Sequence, residues 1–203
     1  MTQTVAALYD TYDSAVAAVN ALEAAGIPHS DISIVSNNVD NQYGKDRPAE
    51  AAKDAGKGAG VGAVVGGVGG LLTGLGLLAI PGVGPVVAAG WLVATAAGAA
   101  TGAVVGGAAG GLVGSLTGAG VPEHDAHFYA EGVRRGGTLV TARADDARAS
   151  AAREILQRYK SVDPADRGAA YREGGWTSFD ENAPAYTADQ VAAERSRYLS
   201  GGL

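Results

Sequence analysis

Glycine recurs at every fourth position through two long stretches of this chain, and that spacing restricts what the chain can build. Gly58, Gly62, Gly66, Gly70 and Gly74 form one register; Gly98, Gly102, Gly106, Gly110, Gly114 and Gly118 form another, which Gly90 and Ala94 extend backwards. Residues four apart lie on one face of an α-helix. Glycine in a helix interior costs about 1 kcal/mol relative to alanine, so helices this rich in it need a compensating contact. A groove free of side chains supplies one, because two such grooves let backbones approach, with more dispersion contact and weak Cα–H···O bonds. The segment Gly62-Ala63-Val64-Val65-Gly66-Gly67 recurs as Gly102-Ala103-Val104-Val105-Gly106-Gly107, so the two stretches offer near-equivalent faces. Leucine and valine fill the remaining positions, whereas disordered glycine-rich sequence is polar and serine-rich. A phosphate or dinucleotide loop is disfavoured, since Gly82-Val83-Gly84 has no strand-to-helix context and no Gly-Lys-Ser/Thr follows.

The register predicts a long antiparallel glycine-zipper α-hairpin over residues 48–121. Pro48 suits a first helical turn, residues 58–80 carry no charge, and Ile80-Pro81-Gly82-Val83-Gly84-Pro85 must turn the chain. Each arm would be about 50 Å long at 1.5 Å per residue. Apolar bulk gathers at the expected tip, in Leu71, Leu72, Leu75, Leu77, Leu78, Ile80, Trp91 and Leu92. An apolar surface of this extent needs a partner. The uncharged runs exceed the roughly 20 residues that cross a bilayer, so a lipid membrane entered tip-first is the favoured partner, with Lys53 and Lys57 keeping both ends cytoplasmic. The alternative is a soluble homo-oligomeric particle that buries its hairpins inside. The chain itself is a partner in either case.

The flanks read as one small α/β domain split by that hairpin. Residues 4–9 are β-prone, polar cap candidates follow, Val16, Val19 and Leu22 recur at helical spacing, and residues 31–36 form a second strand. Beyond the hairpin, residues 122–135 read as an amphipathic helix, residues 138–143 as a strand, and Asp145 or Asp146 caps a helix running to about Tyr159. Residues 163–175 read as a polar linker, and Thr187-Ala188-Asp189-Gln190 fits a capping box before a short helix. The expected organisation is α+β: residues 1–47 and 122–162 as the halves of the domain, 48–121 as the hairpin, and 163–203 as linker and tail.

A formal net charge of −6 argues against nucleic acid, whose binders need a basic face. The absence of cysteine removes disulfides, thiolate chemistry and cysteine metal sites. The N-terminus lacks a basic segment followed by an apolar one, so the domain is expected in the cytoplasm, beside the membrane.

Residues Val5-Ala6-Ala7-Leu8-Tyr9-Asp10, 15–22, Ala25-Gly26-Ile27, Asp31-Ile32-Ser33-Ile34-Val35-Ser36 and the stretch 120–137 with its following strand resemble the general stress protein 17M-like family, bacterial stress proteins related to low-temperature-induced proteins. The resemblance implies a ferredoxin-like α/β domain, a stress-related role and no catalytic residues.

Little else in the chain suggests chemistry. Glu123, His124, Asp125 and His127 form the one cluster resembling a metal site, but acidic residues also suit the first turn of a helix. Arg134 and Arg135 could contact phosphates or lipid headgroups, or simply complement a helix end. Trp176, Phe179 and Tyr186 are the tail's contact residues, and Trp176 and Phe179 suit an interfacial anchor, a clasp on a neighbouring subunit or packing on their own domain. No catalytic set, cofactor or metal site is expected. A non-enzymatic, self-assembling structural protein is the leading reading; a small-molecule or metal sensor using the ferredoxin-like domain is the alternative.

Overall fold

The computed structural model describes residues 2–41, 76–92 and 111–199. Strand β1 (Thr2–Tyr9), helix α1 (Tyr12–Ala24) and strand β2 (Ile32–Asn37) form where the sequence places them. Thr11 starts α1 by accepting from the Ser14 N–H at 3.3 Å, and Ala15, Ala18, Val19 and Leu22 make its buried stripe. Helices α2 (Gly111–Gly118) and α3 (Glu123–Arg134), strand β5 (Thr138–Asp145) and helix α4 (Asp146–Arg158) follow. Asp145 caps α4, accepting from the Arg148 N–H at 3.0 Å.

β5 lies between β1 and β2, antiparallel to both, so β1 and β2 run parallel with a crossover helix joining them. In a β-α-β-β-α-β unit the next strand would return to the outer edge of β1. Here that return is one backbone bond, from the Val162 N–H to the Leu8 carbonyl at 2.8 Å. The chain then turns into helix α5 (Pro164–Glu173), over residues expected to be a linker. Its signals were local: Asp163 accepts from the Ala165 and Asp166 N–H groups, and Pro164 occupies the first turn. Only Gly168 and Tyr171 of α5 are buried, so no apolar stripe announced it.

The expected helical hairpin is corrected over its middle. Residues Gly76–Ile80 (β3) and Gly84–Gly90 (β4) are strands, and they extend the sheet beyond β2 in the order β1-β5-β2-β4-β3. The breaker cluster does turn the chain. The Val83 N–H donates to the Ile80 carbonyl at 3.1 Å, with Pro81 then Gly82 (φ +72°) as the central residues, the pattern of a type II turn. A helix was wrong because short apolar runs between breakers suit a strand equally well. β-branched Val86 and Val87 favour the pleat. Gly90 belongs here for a reason other than the helical register: its φ is +95°, and a Cβ there would lie 2.1 Å from the Ile32 carbonyl oxygen.

The expected apolar tip is corrected with it. Ile80 and Leu92 are buried in the domain's own core, with Leu78 and Trp91 packed against it, while Leu77 is 66% exposed. Leu71, Leu72 and Leu75 lie outside the described residues. So do Gly58, Gly62, Gly66, Gly70, Gly74, Gly98, Gly102, Gly106 and Gly110; Gly114 and Gly118 are on α2.

Alternation along the strands sorts side chains into two cores. Val5, Ala7, Tyr9, Ile32, Ile34, Val140 and Ala142 face α1 and α4. Leu8, Val35, Val86, Ala88 and Leu139 face α2, α3 and α5. A sheet covered on both faces explains why β2 is buried at every position.

Candidate functional site

The metal-like cluster, the two arginines and the tail's contact residues gather around α3, the helix packed over β1, β5 and β2 in the second core. Gly132 permits this close approach, since a Cβ there would stand 2.3 Å from Leu8 Cδ2. Beyond α5 the chain passes Trp176 and Phe179 and ends in helix α6 (Ala188–Leu199), so residues 164–199 wrap around the C-terminal half of α3. The capping box at the start of α6 is reciprocal: the Thr187 N–H donates to Gln190 Oε1 at 2.9 Å, and the Gln190 N–H to Thr187 Oγ1 at 3.3 Å.

The histidines of the metal-like cluster are engaged separately. His124 is an exposed side chain 3.2 Å from the carboxylate of Asp125. His127 accepts the Phe179 N–H on Nδ1 at 3.2 Å and turns Nε2 toward Glu123, 3.9 Å away. An acceptor nitrogen carries no proton, so His127 holds the tail through its Nε2–H tautomer. Among the described residues no group of three or more His, Cys, Asp or Glu side chains is placed to hold a metal ion. Beside His127 opens a cleft of about 840 Å³ lined by Val113, Thr117, Phe179 and the acidic Glu123, Asp180 and Glu181. Its one helical hydroxyl is committed locally, since Thr117 Oγ1 donates to the carbonyl of Val113 at 3.1 Å.

Arg134 and Arg135, for which phosphate or headgroup contact and a helix-end role were both open, are engaged within the chain. Glu131, missed by sequence reasoning, is the centre of their network, with a side chain 1% exposed. It accepts from Arg135 Nε at 2.6 Å and from Arg134 Nη1 at 3.4 Å. Arg135 reaches Glu194 at 3.4 Å and stacks on Tyr171, 4.3 Å from the ring centroid. Arg134 donates to the Pro184 carbonyl at 2.9 Å and lies 4.9 Å from the centre of Tyr186. Burial opposes the charge of Arg135, but the hydrogen bond and the negative charge of Glu131 outweigh it and raise the guanidinium pKa above its ordinary value. The signal available in the sequence was the four-residue spacing of Glu131 and Arg135, which pairs them on one helix face.

Further ties fix both ends of the tail. Arg167 grips Asp10 with two bonds of 2.8 and 2.9 Å and stacks 3.4 Å from the centre of Tyr198. Arg195 bonds the Gly136 carbonyl at 3.0 Å and pairs with Asp40. Trp176 and Phe179 are buried in the chain's own core, Trp176 edge-on to Tyr171 at 5.9 Å. Of the three roles open to these two aromatics, packing on their own domain is the observed one. The whole assembly of cation, carboxylate and ring is built to hold chain against chain.

Residues 4–82 match the family model of the heat induced stress protein YflT domain, a stretch that begins in β1 and ends in the β3–β4 turn. That match supports a stress-protein family for this part of the chain. No curated protein and no solved structure matches.

Proposed function

We propose that this chain is a non-enzymatic, stress-associated structural protein that self-assembles by packing its glycine-registered segments against one another, with a lipid membrane as the apolar phase receiving them. The match to a heat-induced stress protein domain supports the stress association. The packing is supported by one placement. Gly76 pairs with Ala88, so the strand that ends the first glycine run and the strand that precedes the second are neighbours. The inner ends of the two runs, at Gly76 and Leu92, therefore leave the sheet from the same end, as antiparallel helix-on-helix packing requires.

The described residues change what the membrane would receive. Ile80, Val86 and Leu92 serve the domain's own core, so the segments on either side of the β-hairpin, and not its turn, are the parts offered to lipid or to other copies. No described helix is long and apolar enough to cross a membrane. The metal-sensing alternative has no ligand set among the described residues.

The double substitution Gly66→Leu with Gly106→Leu tests the reading by filling both grooves. Sedimentation without detergent and flotation with phospholipid vesicles should show the parent chain assembled or lipid-bound. The variant should sediment as smaller species and lose most of its vesicle binding, with its far-UV dichroism retained. A parent chain that neither assembles nor floats, or a variant that behaves like it, overturns the proposal. Large particles that ignore vesicles would favour the soluble assembly.

A further inference from the structure

The sheet has two edges, and they are treated differently. At β1 two of the outward-turned carbonyls are taken: that of Leu8 by the Val162 N–H at 2.8 Å, and that of Ala6 by the Tyr129 hydroxyl at 3.0 Å. At β3 the outward-turned residues follow from the pairing. Pro85 has no N–H, so Ala79↔Pro85 is a non-hydrogen-bonded pair, and Leu77↔Val87, two residues along, is another. The Pro85 carbonyl accepts from the Asn38 N–H at 2.9 Å, which shows Pro85 turned toward β2 and away from β3. Gly76, Leu78 and Ile80 therefore make the ladder with β4, and Leu77 and Ala79 aim N–H and C=O outward. No described residue bonds to those groups. The side chains of Leu77 and Ala79 are exposed as well, Leu77 at 66%.

Proteins ordinarily protect a bare edge with a lysine, a proline or a bulge. Gly76–Ile80 carries none of these, although the chain as a whole has a formal net charge of −6. An uncharged strand on an acidic body is a place where two copies meet without charge repulsion from the strand itself. The outward residues are also self-complementary. When β3 runs antiparallel to a second β3 about a two-fold axis at Leu78, Leu77 of each copy falls opposite Ala79 of the other. Both pairs then exchange their outward N–H and C=O groups, and each leucine side chain lies over an alanine. A slip of one residue would set outward groups against inward ones and lose every bond.

We propose that β3 is a homodimerisation edge, pairing with β3 of a second copy in that register and joining two five-stranded sheets into one. The contact uses none of the four-residue glycine registers and does not rest on the reading above. A pair of short strands buries much less than the roughly 1,200–2,000 Å² of a standard interface, so the dimer is concentration-dependent.

Leu77→Lys and Ala79→Glu provide the test, both at exposed positions where the fold does not need the original side chain. In sedimentation equilibrium on the full chain, the smallest species of the parent should approach twice the chain mass as concentration rises. The smallest species of each variant alone should stay at the mass of one chain, because the introduced charge loses its solvation against the partner strand. Mixed in equal amounts, the variants should regain a dimer, since the new lysine faces the new glutamate across the pair. A parent whose smallest species stays a single chain, a Leu77→Lys variant whose smallest species dimerises like the parent's, or a mixture whose smallest species stays a single chain overturns the proposal. Failure of the glycine reading would leave this comparison readable, because Leu77→Lys alters the strand alone.

Discussion

Glu131→Ala is expected to lower the unfolding free energy by about 3–5 kcal/mol, the cost of removing one partner from a buried charge pair. The substitution removes the carboxylate that binds both Arg134 and Arg135, and Arg135 is itself only 12% exposed. Glu194 remains as a partial partner, 3.4 Å from Arg135, but it also serves Arg197 at 3.0 Å. The damage should therefore spread to the tail, through the stack of Arg135 on Tyr171 and of Tyr171 on Trp176. Urea unfolding should show the lost stability, and limited proteolysis under native conditions should cut between residues 174 and 187 faster than in the parent. Glu131→Gln keeps an acceptor for one guanidinium and should lose less. If the alanine variant is as stable as the parent, the network is not what fastens the tail.

The second large effect is alkaline. Burial, then the nearby negative charge of Asp125, pushes the Tyr129 pKa up to about 12 from its ordinary 10.0. Burial raises Tyr9 and Tyr171 further. Tyr9 donates its hydroxyl to the Leu156 carbonyl at 2.8 Å, and Tyr129 to that of Ala6 at 3.0 Å, bonds that a phenolate cannot donate. Each of these groups has its folded pKa above the unfolded value, so it contributes fully below pH 10. As pH rises past 10 the unfolded chain releases the proton first, and the contribution is lost progressively up to the folded pKa. Tyr129 alone removes about 3 kcal/mol between pH 10 and 12, at about 1.4 kcal/mol per pH unit. Tyrosinate absorbance and far-UV dichroism followed together should show some of the eight tyrosines ionising with the structure intact, and the buried ones only as it is lost. Ionisation of all of them near pH 10 with no loss of dichroism would contradict the packing described here.

The parts of the fold legible in the sequence are those whose signals are local. Thr11, one of three cap candidates, before α1 with Val19 and Leu22 on its buried face, Asp145, one of two candidates, before α4, and the reciprocal Thr187 and Gln190 pair each act within a few residues. The β3–β4 hairpin was illegible because its evidence conflicts. Gly90 falls in the helical register, yet its φ of +95° and its contact with Ile32 are tertiary facts. The valines and leucines around it would be equally apolar in a helix packed on lipid and in a strand buried on a sheet. Glu131 was hidden for a similar reason: a glutamate one turn before an arginine usually marks a solvated helix face. Only the arrival of α5 and α6 over that face buries it. The partners of Arg134 were hidden for the same cause, since the carbonyl of Pro184 and the ring of Tyr186 come from fifty residues further along the chain.

The arginines, rings and carboxylates around α3 hold the tail on the body.

Residues 76–90 belong to the sheet and its turn, and not to the end of a helical hairpin. Native-state amide hydrogen exchange read by residue tests this directly. The amides of Val87 and Ala89, which face β2, should exchange as slowly as those of Val140 and Ala142 in the centre of the sheet. Val87 and Ala89 exchanging at the rate of the glycine-rich segments beside them, well ahead of Val140 and Ala142, would contradict it.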